Sequence, residues 1–149
     1  MRLTNYSDYA LRMLIYVAVH PDKLITIGEV SKAYSISKNH LMKIANELSV
    51  AGILETVRGR NGGLRLAKPP SEIRIGTVVR MTETGSALVE CFDPATNHCV
   101  ITRACRLKHL LAQALEAFYL RLDEETLADL VHRPRNLLAL FDVAQDAEA

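Results

Sequence analysis

The sequence predicts a mainly α fold: a winged helix-turn-helix DNA-binding head, a cysteine-bearing loop and a long dimerisation helix. Three observations predict it. Two short amphipathic segments are separated only by Ser35 and Ile36, a spacing that suits a helix-turn-helix. A Gly-rich, Arg-rich hairpin comes next at residues 53–66, and a broad apolar stripe repeats at helical spacing after residue 104. The expected divisions are 1–81 for the head, 82–103 for the loop and 104–149 for the dimerisation helix and C-terminal helices.

The first helix is expected from about Asn5 to Val19, where Tyr6, Tyr9, Ala10, Met13, Leu14, Val17 and Ala18 recur at helical spacing before Pro21 stops it. Asn5 is its candidate N-cap, with Asp8 three residues on to favour the positive end of the helix dipole. Thr26 is placed to cap a helix over Ile27 to Tyr34, and Ser37 to cap another running to Leu48 or Val50. On that third helix Leu41, Ile44, Ala45 and Leu48 share one face. The opposite face carries Asn39, Lys43 and Asn46, flanked by His40, with Ser37 and Lys38 at the entry. Amides can pair with an adenine edge and a lysine with guanine or phosphate, so this surface suits base readout; taken alone it also fits an ordinary solvated face.

Residues 53–58 and 64–66 read as strands around Gly59, Arg60, Asn61, Gly62 and Gly63, with Asn61-Gly62 expected to supply the positive φ angles of the turn. Arg58, Arg60 and Arg65 decorate this wing beside Asn61. Arginine on a slim hairpin suits a narrow minor groove. A phosphate loop would end in Lys-Ser or Lys-Thr and open a helix, and this stretch does neither. A short helix over 75–81, mainly loop over 82–103, a helix from about Ala104 to Leu122 and, after Thr126 to Val131 and Pro134, a last short helix near Leu137 to Val143 before a polar tail complete the reading. The stripe Leu107, Leu110, Leu111, Ala114, Leu115, Phe118 and Leu122 is broader than a small head can cover, which points to a second subunit.

Composition narrows the function. At 149 residues, 49% hydrophobic and 23% charged, the chain is an ordinary folded domain that needs no staple. Its net charge of +1 hides an asymmetry. Residues 1–80 carry 12 Lys and Arg against 6 Asp and Glu, whereas 81–149 carry 6 against 11. A basic half of this kind meets a polyanion. No apolar run approaches a membrane span, and Arg2, Asp8 and Arg12 interrupt any leader-like core, so a cytoplasmic protein without membrane attachment is expected. No set of nucleophile, base and orienting acid and no cofactor fingerprint argues for an enzyme.

Cys91, Cys99 and Cys105 are odd in number and lie within 15 residues, spaced Cys-x7-Cys-x5-Cys. This is neither the paired spacing of zinc fingers nor the tight ferredoxin run. Three thiolates could hold zinc with His98 or His109, or an iron–sulfur cluster with either histidine or a carboxylate. Unligated thiols, buried or redox-active, are the remaining reading.

The opening Met1-Arg2-Leu3-Thr4, Asp8-Tyr9-Ala10-Leu11-Arg12, the wing Val57-Arg58-Gly59-Arg60-Asn61-Gly62-Gly63-Leu64-Arg65-Leu66 and the three cysteines together resemble the Rrf-type winged-helix regulators from Met1 to about Val131. That resemblance implies a dimeric bacterial transcription regulator whose cysteines hold an iron–sulfur cluster. Asp8, Cys105-Arg106-Leu107-Lys108 and Thr126-Leu127-Ala128-Asp129-Leu130-Val131 are most similar to its nitric-oxide-sensing branch. For that branch the resemblance implies a repressor of palindromic double-stranded operators. It implies a [4Fe-4S] cluster per subunit on Cys91, Cys99 and Cys105, with the Asp8 carboxylate on the fourth iron in an arrangement that can reach across the dimer. A [2Fe-2S] form is its alternative or degradation state, and nitrosylation or loss of the cluster frees DNA. The iron–sulfur-assembly branch places a His three residues after its last cysteine, where this chain has Lys108, with His109 one residue further. The gap between Cys91 and Cys99 and the wing also resemble an iron-responsive branch, which lacks the acid at Asp8. That branch and a cluster-free thiol-redox regulator are the alternatives.

Overall fold

The computed structural model describes residues 2–85 and 87–146; Met1 and the end of the expected polar tail lie outside them. The order is α1 (Asn5–Ala18), α2 (Ile27–Tyr34), α3 (Lys38–Val50), β1 (Leu54–Val57), β2 (Gly63–Leu66), α4 (Ile75–Thr82), α5 (Arg106–Asp123), α6 (Leu127–Leu130) and α7 (Pro134–Asp146). The head is a winged helix-turn-helix built around α1, whose Ala10, Met13, Leu14, Tyr16 and Val17 are buried where it packs on α3, α4, β2 and α6.

Thr4, not Asn5, caps α1: its hydroxyl accepts the Ser7 N–H at 3.2 Å. Asn5 is the first helical residue, which puts Asp8 one position too far along to complete a capping box. Thr26 does complete one with Glu29 at the start of α2. The turn to α3 passes through Ser35 at φ 52°, a left-handed conformation uncommon outside glycine. Ser37 occupies the N-cap position of α3, yet its side chain makes no capping bond.

The wing strands are antiparallel, with Leu54 opposite Leu66 and Val57 opposite Gly63. Their turn differs from the expectation. The positive φ lies at Gly59 (115°), and neither Asn61 nor Gly62 is left-handed. Gly62 answers a different constraint, since a Cβ there would collide with the Val57 carbonyl oxygen. Ile25 bridges the other edge of β2, exchanging main-chain hydrogen bonds of 2.9 and 2.7 Å with Leu64.

The loop after α4 contains two short 3-10 turns, Glu90–Phe92 and Thr102–Ala104. Helix α5 then begins at Arg106, two residues later than predicted, with Cys105 as its N-cap. Its C-terminal end is pinned to α4. A Cβ on Gly76 would collide with the Asp123 carboxylate. The same carboxylate pairs with Arg80 at 2.6 Å, and Arg74 donates to the Asp123 carbonyl at 2.6 Å. Main-chain bonds from Ile75 to Glu125 (3.0 Å) and from Leu127 to Ile73 (2.8 Å) stitch the next segment to the head. Phe118, Tyr119 and Leu122 pack on the core, but no residue of α5 is fully buried, and Leu107 and Leu110 stay about 60% exposed. Helix α7 is longer than predicted because Pro134 opens it, the position where its fixed φ and missing N–H cost least. Phe141 returns to the head, its ring 5.0 Å from Tyr16 and 5.4 Å from Tyr34.

Gly76→Ala should lower stability by about 1–3 kcal/mol despite the better helix propensity of alanine, because overpacking displaces an ion-paired Asp123. Urea unfolding measures it, and an unchanged midpoint would show that α5 yields without cost.

Candidate DNA interface and cysteine loop

The inner face of α3 is the core face predicted: Leu41, Ile44, Ala45 and Leu48 are buried. Ser37, Lys38, Asn39, His40, Lys43 and Asn46 are all exposed. Contacts on two edges fix how that outer face is presented. On one edge the Tyr6 hydroxyl of α1 donates to Glu47 at 2.5 Å, and the His40 ring lies 6.3 Å from that of Tyr9. Burial, then the hydrogen bond and charge of Glu47, push the Tyr6 hydroxyl up to about 12, so it remains a donor at neutral pH. On the other edge Ser49 and Thr56 of β1 share a hydroxyl hydrogen bond of 3.1 Å. Tyr6 and Glu47 are 41 residues apart, beyond the reach of any local sequence signal.

At the wing, Arg58, Arg60 and Asn61 are exposed on the turn, and neither arginine has an ion pair among the described residues. Arg65 is placed differently. It faces Glu55 across the hairpin and forms a two-pronged pair at 2.8 and 3.1 Å. That hydrogen bond and the charge behind it hold the Glu55 carboxyl below its usual range.

Cys91 and Cys105 are half-buried, Cys99 is exposed, and all three are free thiols. The Cys105 sulfur accepts the Lys108 N–H at 3.4 Å. Cys91 borders a cavity of about 410 Å³ lined also by Phe92, Lys108, Leu115 and Tyr119. The structure does not gather the remaining candidates around these sulfurs: among the described residues no three His, Cys, Asp or Glu side chains form one metal-ligating group. His98 donates its main-chain N–H to Glu90, and His109 lines an outward groove of α5 with Leu107 and Leu110. Asp8 is 44% exposed and paired with Arg12, one turn along α1, at 2.9 Å.

One residue at the root of the loop went unread in the sequence. Glu83, just after α4, accepts from the Thr4 N–H and hydroxyl, both at 2.8 Å, and from the Ser7 hydroxyl. Thr82 donates to Ser7 at 2.8 Å. The first turn of α1, which leads to Asp8, is therefore tied to the residue from which the cysteine loop departs.

No helix among the described residues is long and apolar enough to cross a membrane. Residues 3–133 match the Rrf2 family, described as iron-dependent transcriptional regulators. The chain is 48% identical to the HTH-type transcriptional regulator NsrR of Oceanobacillus iheyensis over 144 residues, covering 96% of this chain and 98% of the relative. It is 50% identical to NsrR of Halalkalibacterium halodurans over 95% of this chain and 97% of the relative. Among solved structures, the oxidized form of Staphylococcus aureus CymR superposes with a TM-score of 0.69 at 27% identity, covering 87% of this chain and 95% of the other. T. potens IscR shares the fold with a TM-score of 0.70 at 21% identity, over 89% of this chain and 87% of that one. These relatives are named as regulators and not as enzymes, and a family match spanning nearly the whole described chain decides the assignment: the protein belongs to the Rrf2 family of winged-helix transcriptional regulators.

Proposed function

We propose that the chain is a homodimeric cytoplasmic repressor that binds a palindromic operator and senses nitric oxide through a [4Fe-4S] cluster held by Cys91, Cys99 and Cys105. The observation that carries this reading is near-half identity, over almost the full length, to regulators named NsrR, combined with three unpaired thiols on one loop. The donor set fits such a cluster: none of the three sulfurs is sequestered in the core, and Cys105 already accepts a main-chain N–H of the kind that tunes cluster sulfurs. Asp8, from the same or the partner subunit, would supply the fourth ligand. An oxygen ligand exchanges more readily than a thiolate, so a carboxylate at that position would leave one iron open to nitric oxide. A [2Fe-2S] form is the product of partial loss.

The protein's own residues supply the rest. The α5 face bearing Leu107 and Leu110 forms the dimer seam, and two-fold symmetry then sets two half-sites about one helical turn apart, or a multiple of it. Ser37, Lys38, Asn39, His40, Lys43 and Asn46 enter the major groove, while Arg58, Arg60 and Asn61 reach the minor groove. Arg65 joins them to the extent that a phosphate competes with Glu55 for its guanidinium. Asp8 must leave Arg12 to bind iron, and an exposed pair of this kind costs at most about 1 kcal/mol to break. If Asp8 held iron, its release would let α1 shift, and because Tyr6 of α1 holds α3 through Glu47, that shift would reach the recognition helix. The family's description as iron-dependent favours one second reading, an iron-responsive regulator on the same ligands. Anaerobic absorption with iron and sulfide assays, then operator binding during separate nitric oxide and iron-chelator titrations, distinguishes the two and exposes a cluster-free protein.

Arg60→Ala should weaken operator binding and shrink its salt dependence, because a cation near phosphates releases counterions on binding. An unchanged affinity and salt slope would remove the wing from the interface. Single Cys91→Ala, Cys99→Ala or Cys105→Ala variants should fold yet lose stable iron and sulfide, and a variant that keeps both identifies a residue that is not a ligand. Asp8→Ala should keep a three-thiolate cluster while altering its spectrum and nitrosylation rate and uncoupling cluster state from operator affinity. Identity with wild type in all three would leave Asp8 as the partner of Arg12 only.

A further inference from the structure

We propose that Met42 reads the C5-methyl group of a thymine in the operator's major groove, making it a specificity-determining residue of the recognition helix. The inference rests on the reading of α3 as the helix that enters DNA and adds to it a base and a contact type.

Among the described residues of the head, the large apolar side chains left exposed are Met42 at 52% and Val50 at 83%, and both project from α3. Their places on that helix differ in consequence. Met42 is its fifth residue, three after Asn39 and four before Asn46, so at roughly 100° per residue it shares one surface with both amides. Val50 is the last helical residue. The N-terminal part of a recognition helix is what meets base edges, so Met42 is within reach and Val50 is not.

Direction supports the same choice. The outer arc of α3 is bounded by Tyr6–Glu47 and His40–Tyr9 toward α1, and by Ser49–Thr56 toward β1. Met42 lies inside that arc on its β1 side, facing the space between recognition helix and wing. The core side chains of α3, Leu41, Ile44, Ala45 and Leu48, point the other way. An isolated exposed apolar residue is ordinary on a protein surface. This one sits amid Asn39, Asn46 and Lys43 on the basic half of the chain, a surface otherwise suited to polar base edges and phosphate. The thymine methyl is the one apolar group that base edges present in the major groove. An unbranched thioether can adjust its three torsions to meet it. Asn39 or Asn46 paired with an adenine would place an A·T pair next to the methyl that Met42 covers.

The test begins with an operator selected by the full-length wild-type protein from a random duplex library. Each thymine of a half-site is then replaced by uracil, which removes the methyl alone, and affinities are measured for wild type, Met42→Ala and Met42→Leu. One thymine per half-site should cost wild type about fourfold on replacement, the worth of one buried methyl group. Met42→Ala should lose affinity for the thymine operator and show no further loss with uracil there, whereas Met42→Leu should retain the discrimination. Equal uracil penalties in wild type and Met42→Ala at every position would overturn the proposal while leaving α3 in the groove. Asn39→Ala and Lys43→Ala binding as wild type would overturn both it and the reading beneath it. Thermal unfolding of Met42→Ala at the wild-type temperature confirms that any loss belongs to the contact.

Discussion

The carboxylate of Glu83, drawn into the first turn of α1, is the interaction on which the arrangement of the protein turns. A helix begins with main-chain N–H groups that lack partners, and here one acid accepts from the Thr4 N–H, the Thr4 hydroxyl and the fully buried Ser7 hydroxyl. Without it Ser7 would rely on Thr4 and Thr82 alone in a site closed to water, and an unmet buried hydroxyl costs about 1–3 kcal/mol. The bond network also joins the start of the chain to the end of α4. Because α1 supplies central buried side chains, that junction bears on how α3, α4 and β2 pack against it.

The presentation of α3 depends on the same helix. Tyr6, within the clamped turn, holds one edge of α3, and the wing strand holds the other. The exposed surface between them is thereby oriented by two contacts of different kinds, one part-buried and acidic, one exposed and neutral. A shift of α1 would therefore reach α3 both through the Tyr6–Glu47 edge and through the shared core.

Much of this was legible in the sequence because the governing forces are local. Apolar spacing placed α1, α2 and α3 and the buried face of α3; glycine and arginine placed the wing; and the three cysteines marked their loop. The misreadings share a physical origin in tertiary contact. Asn5 looks like a cap until Thr4 and Glu83 take that role together. Asn61-Gly62 has the composition of a left-handed turn, yet a five-residue turn needs its positive φ at Gly59 and uses Gly62 for closeness to Val57. Arg65 reads as a free cation until the hairpin register sets Glu55 opposite it. Ile25 lies in a connection with no strand pattern and joins the ladder because Leu64 arrives beside it. For the proposed ligands, sequence placed three thiols on one loop, but nothing local relates Asp8 to them.

The pinned end of α5 has a mechanical consequence. Gly76, Arg74 and Arg80 grip the helix at Asp123, and its far tip begins at Cys105. Eighteen residues make an arm of roughly 27 Å. A tilt of about 10° at the fulcrum therefore sweeps the tip through roughly 5 Å, the product of that angle and an arm with a rise of about 1.5 Å per residue. Conversely, a displacement of roughly 2 Å at Cys105 reaches α4 as a rotation of only about 4° on the same arm, small enough for a close-packed head to absorb by sliding side chains and not by unfolding.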